Sequence, residues 1–158
     1  MQQLKILNSK EIKKIKELVI AEFGAFLKEE YAYLQNEKDK VYLINREIAK
    51  VNLNNLKIDK IGLYFAEVQE NQVRLSKEGA QLLIHEAEKN QGNIKNKVEL
   101  TKEEVKNYFH GHDLARDLGE NSQLVILQYQ NNTIGCTRYK ERRILNFLPK
   151  LNRGEVII

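Results

Sequence analysis

The sequence predicts an α+β protein in two parts: an N-terminal antiparallel sheet with packed helices, and a C-terminal β-barrel domain. Three observations carry that expectation. In the first part, stretches with apolar residues at three-four spacing alternate with short runs rich in β-branched and aromatic residues. One polar stretch, "EKNQGNIKNK" from Glu88 to Lys97, is long enough to be a linker. Beyond it the pattern changes to one capped helix followed by short strands, which need closure or a neighbour to cover their edges. Domains are therefore expected over residues 1–92 and 93–158.

Each element has its own signal. After an extended "LKIL", Ser9 is placed to cap a helix whose Ile12, Ile15, Leu18, Val19 and Phe23 share a face. Lys13, Lys14 and Lys16 fall on its wet side, balanced by Glu11, Glu17 and Glu22. "EYAYLQ" and "KVYLIN" read as a hairpin around "NEKD", and a short helix is expected over Arg46 to Val51. "KIGLYFAEVQ" and "QVRLS" pair around "ENQ". Ser76 then caps a helix with Ala80, Leu83, Ile84 and Ala87 turned inward. Past the linker, "KVEL" reads as a strand. Thr101 and Glu104 have capping-box spacing and open a helix through Phe109, with a further helical turn in "GHDLARDLGE". "QLVILQYQ" and "TIGCTRY" pair across "NN", "RILNFL" runs to Pro149, and "GEVII" is expected to complete the sheet.

Composition bounds the class. With 158 residues and 42% apolar content, the chain should bury a core rather than stay disordered. A single cysteine excludes an internal disulfide and suits a reducing compartment. No signal-peptide pattern opens the chain, and no stretch approaches the roughly 20 apolar residues of a membrane span. The expectation is a cytoplasmic protein.

Charge distribution says more than the net +4. From Cys136 to Ile158, six cations (Arg138, Lys140, Arg142, Arg143, Lys150 and Arg153) stand against Glu141 and Glu155 alone, which is the entire surplus. Strand alternation allows Arg138, Lys140, Arg142 and Arg143 to line an edge while apolar neighbours turn inward. Arginine binds phosphate bidentately and stacks on bases. Tyr139 or His112 offers a stacking face of the kind that holds single-stranded RNA. Such charge also serves simply to defend an edge strand against aggregation.

Other chemistry is thinly supported. His110 and His112 flank Gly111, but only His85 and Cys136 remain to complete a metal site, so no metal is expected. Gly111 suits a left-handed helix end, or close backbone approach to a phosphate or sugar. Nucleotide-cradling glycine motifs are missing, and Cys136 lies mid-strand with no histidine nearby in sequence. Neither catalysis nor a cofactor is expected.

"YFHGHDLARDL" followed by "SQLVILQYQNNTIGCTRYKERRILNFLPKLNRG" resembles the PUA domain, the RNA-binding barrel of pseudouridine synthases and archaeosine transglycosylases. More narrowly, Asn146, Leu148, Pro149, Lys150 and Arg153 fall in the order found in the PUA-like tail of sun-family RNA 5-methylcytosine methyltransferases. The whole layout is similar to two-domain, pre-PUA plus PUA, ribosome-assembly factors. The methyltransferase core with its paired cysteines is absent, so that activity is not implied. The resemblance implies non-catalytic RNA binding, to rRNA or tRNA, in ribosome biogenesis or RNA modification. Its RNA-contacting residues would be Arg138, Tyr139, Lys140, Arg142, Arg143, Asn146, Lys150, Arg153, Gly111 and His112. The alternative is an adaptor that docks an RNA methyltransferase or ribosome-assembly factor onto RNA.

Overall fold

The computed structural model describes residues 3–47 and 62–158. They form two compact units, Met1–Lys95 and Asn96–Ile158. Each holds a five-stranded sheet, so the fold is α+β. Among the described residues, no helix is long and apolar enough to cross a membrane.

In the first unit the strands are β1 (Lys5–Ile6), β2 (Ala32–Gln35), β3 (Lys40–Ile44), β4 (Leu63–Gln69) and β5 (Gln72–Leu75), all antiparallel in sequence order. Helix α1 (Ser9–Phe23) packs against β5, and α2 (Lys77–Lys89) against β4 and β5. Their apolar faces supply Val19, Phe23, Ala80 and Leu83, all fully buried with Leu34, Val41, Phe65 and Ala66 of the sheet. Ser76 caps α2 by accepting from the Gly79 amide at 2.8 Å, as its spacing predicts. A Cβ on Gly79 would stand 2.0 Å from the Phe65 carbonyl oxygen, so only glycine lets α2 approach β4 this closely. The cap of α1 is Asn8 rather than Ser9. Glu11 lies three residues after Asn8, and the two side chains each accept from the other's backbone amide at 2.9 Å. The helix expected over Arg46 to Val51 lies mostly outside the described residues; Arg46 and Glu47 form a turn.

The second unit has β6 (Lys97–Glu99), α3 (Lys102–Phe109), β7 (Leu114–Ala115), β8 (Gln123–Tyr129), β9 (Asn132–Lys140) and β10 (Arg143–Ile144). They form a curled half-barrel in the order β6-β8-β9-β10-β7, with β6 parallel to β8. Val98, Val105, Tyr108, Leu114, Val125, Leu127, Tyr139 and Ile144 pack together as its core. Thr101 and Glu104 close the expected capping box. The β8–β9 turn is Gln130–Asn131, both at positive φ (46° and 64°), one residue before the expected "NN".

Two expectations fail here. "GHDLARDLGE" is not helical: Leu114 and Ala115 pair with Ile144 and Arg143 instead. The tail "GEVII" is not a strand; the Gly154 amide bonds the Phe109 carbonyl, and Ile157 is fully exposed.

Candidate nucleic-acid interface

The β9–β10 connection is a two-residue turn, Glu141–Arg142, with φ of 51° and 59°. Its backbone twist suits the hairpin, at some steric cost to two residues that bear a Cβ. Arg142 is held over neighbouring acids, its Nη2 3.1 Å from Glu120 Oε1 and its Nε 3.8 Å from Asp117 Oδ2. Either side of the turn, Lys140 and Arg143 stand directly opposite one another on paired strands. Both are exposed, and neither has an ion-pair partner among the described residues. Like charges facing across a ladder repel, a cost that a bound anion would remove.

Arg153 lies against the C-terminal end of α3. The His112 amide bonds the Asn107 carbonyl and the Gly111 amide bonds Tyr108, a Schellman closure with Gly111 at φ 95°. The space left by its missing Cβ is filled by Arg153: an added Cβ would lie 2.8 Å from Cδ and Nε and 2.9 Å from Cζ. Arg153 Nε donates to the Leu148 carbonyl at 3.1 Å. The guanidinium is thereby seated by one nitrogen, while its two Nη groups have no partner among the described residues. The guanidinium suits the negative end of a helix dipole.

Asn146 fastens this region. Its amide nitrogen donates to the carbonyls of Tyr108 (2.6 Å) and His112 (3.0 Å), and its Oδ1 accepts from the Leu148 amide at 3.0 Å. The last bond makes an Asx turn. Asp113 Oδ1 accepts from the Asn146 amide at 2.8 Å. At the apex of that turn Phe147 is 44% exposed, and Lys150, in the 3-10 turn Lys150–Asn152, is exposed with no ion-pair partner among the described residues.

The ten residues singled out from sequence therefore take different roles. Lys140, Arg142 and Arg143 meet at the hairpin tip; Gly111, His112, Asn146 and Arg153 meet at the end of α3. Three residues of chain, at most roughly 11 Å, link Arg143 to Asn146, so these residues form two neighbouring groups instead of one. Arg138 is half-buried, with Nη1 2.9 Å from Ser122 Oγ. Tyr139 is a correction. It has no exposed surface, its hydroxyl donates to the Gly119 carbonyl (2.8 Å) and accepts from the Leu118 amide (2.9 Å), and no base can stack on it. Asn146 is likewise committed to backbone, and Gly111 makes room for Arg153 where close approach of a ligand was the other expectation. Phe147, which was not singled out from sequence, faces solvent. The signal for it was present, since a turn-forming asparagine and Pro149 bracket it.

Residues 95–153 match the family model described as the methyltransferase RsmF PUA domain. The C-terminal unit is a PUA domain. It is close to the PUA-like domain of sun-family methyltransferases, and PUA domains are RNA-binding modules. The matched stretch ends on Arg153, the residue seated on Gly111. Comparison with curated proteins gave no match.

Proposed function

We propose that this protein binds rRNA or tRNA through its PUA domain, without chemistry of its own, in ribosome biogenesis or RNA modification. One observation carries the reading: residues 136–153 of the PUA domain hold four exposed cations, Lys140, Arg143, Lys150 and Arg153, that have no carboxylate partner among the described residues. Cations left unneutralised by the fold are those able to displace counterions from phosphate, and released counterions supply the affinity. Fluorescence anisotropy of the full chain on labelled tRNA and rRNA fragments tests it. Binding is expected, and it should be competed by unlabelled RNA far better than by duplex DNA of equal length. Failure to bind either RNA at low salt overturns it.

The matched module is that of a methyltransferase, which favours a second reading in which the chain acts as an adaptor. In that role it carries an RNA methyltransferase or assembly factor to the RNA. A partner retained on the tagged protein after nuclease treatment supports the adaptor; one lost with the RNA supports direct binding alone.

A further inference from the structure

Core packing does not account for Glu86 in the first unit. It lies on the inner face of α2 with Leu83, Ile84 and Ala87, and is only 6% exposed. Its Oε1 accepts from the Glu29 amide at 3.3 Å, while Oε2 is buried with no hydrogen-bond partner among the described residues. A buried carboxylate with one oxygen left over is a cost to the fold, which an apolar residue at this position would avoid. Glu86 backs three residues, Glu29, Tyr31 and Tyr33, that line a cleft of about 570 Å³ between α1 and residues 26–33. That volume is in the range of small-molecule sites. Burial, the Glu29 bond in the case of Tyr31, and then the Glu86 charge hold both phenols above their ordinary range.

The aromatic end of the cleft is braced. Phe26 and Tyr33 stand edge-on to the buried Phe65, with ring centroids 6.2 and 6.5 Å away, and the Tyr31 hydroxyl donates to Glu29 Oε2 at 3.1 Å. Charges along the cleft sort by depth. Its cations, Lys13, Lys16, Lys28 and Arg46, are all exposed, and Lys13 and Arg46 are paired with Glu17 and Glu30. Water and salt screen exposed charges far more than buried ones, so Glu86 sets the sign at the tyrosines. We propose that this cleft binds a small organic ammonium ion, its cationic head against Tyr31 and Tyr33 in the field of Glu86 and its hydrocarbon part along Ile12 and Ile20. Ring faces attract a cation, and the carboxylate behind them adds to that attraction. Ile20, 40% exposed, supplies apolar surface for the rest of the molecule.

The site lies wholly in the first unit, so its test is separate from RNA binding. The ring signals of Tyr31 and Tyr33 are followed by NMR as the full chain is titrated with choline, with butylammonium, and with neohexyl alcohol, the uncharged isostere of choline. Saturable shifts are expected with the two cations, and neohexyl alcohol should bind roughly 2- to 30-fold more weakly than choline, the range of a cation–π contact. Tyr31→Leu, which keeps apolar bulk without a π face, should weaken choline by a similar factor. Glu86→Gln retains an acceptor for the Glu29 amide and removes the charge, so choline and neohexyl alcohol should bind it almost equally. Shifts with neither cation, equal shifts with sodium chloride, or a parent chain that takes neohexyl alcohol as well as choline overturn the site. So does a preference for choline that Glu86→Gln leaves unchanged. If Glu86→Gln does not fold, Tyr31→Leu decides, and undiminished choline binding by that variant overturns the site.

Discussion

Removing the Asn146 side chain should loosen the whole α3 end of the PUA domain. Asn146→Ala deletes two donated bonds, to Tyr108 O and His112 O, and the Asx-turn bond from Leu148 N. Each intramolecular hydrogen bond contributes roughly 0.5–1.5 kcal/mol net. The Tyr108 carbonyl also accepts from the Gly111 amide, and the His112 carbonyl lies near solvent, so neither is fully orphaned. The loss is therefore set near the middle of the summed range, about 3 kcal/mol. For a typical urea m-value of about 1–3 kcal/mol/M, that lowers the midpoint of the PUA transition by about 1–3 M. Amide exchange at Leu148 should accelerate at the same time, because its acceptor is gone. Asn146→Asp separates geometry from chemistry: it keeps shape and the Asx acceptor but faces two carbonyls with a carboxylate, and should be at least as destabilising above the carboxylate pKa. A midpoint change under about 0.3 M for Asn146→Ala, with Leu148 exchange unaltered, would refute the clamp.

Three further outcomes follow from the same coordinates. Gly79→Ala sets a Cβ 2.0 Å from the Phe65 carbonyl oxygen; overpacking of about 3 kcal/mol outweighs about 1 kcal/mol of helix propensity, so urea denaturation should show a net loss of about 2 kcal/mol in the first unit. Tyr31 is pushed up to about 12, first by burial and then by its bond to Glu29, and burial beside Glu86 raises Tyr33 further above the ordinary value of 10.0. Both phenols contribute stability that is complete below pH 10 and lost as pH rises through their folded values, so phenolate absorbance should appear in two stages, the second coinciding with unfolding. Glu120→Gln removes the closer carboxylate from Arg142 and should strengthen RNA binding by a few-fold at low salt, with stability little changed because the pair is exposed.

Local signals in the sequence were reliable where the chain's own neighbours decide the outcome. The caps at Ser76 and Thr101 and the inward stripe of α2 depend on spacing alone, and all stand as read. The cap at Asn8 was also legible, because only Asn8 has a glutamate three residues on. Leu114 and Leu118 share helical spacing, yet pairing with β10 drew Leu114 into a strand. "GEVII" had the composition of a strand and no ladder to join. At the candidate site, charge marked the right segment, and alternation set Tyr139 on the face opposite Arg138 and Lys140, the face that packs with Ile144 and Leu114; the stacking role expected of Tyr139 ran against that signal. Alternation could not show that Arg153 folds back onto Gly111, a contact between residues distant in sequence.

The salt dependence of RNA affinity tests the central claim most directly. If Lys140, Arg143, Lys150 and Arg153 each neutralise one phosphate of a single strand, log affinity falls with log salt at a slope of about −3, and the triple variant Lys140→Ala, Arg143→Ala, Lys150→Ala flattens it by about 2. A parent slope near zero, or one that the triple variant leaves unchanged, would contradict the assignment of these cations to RNA phosphates.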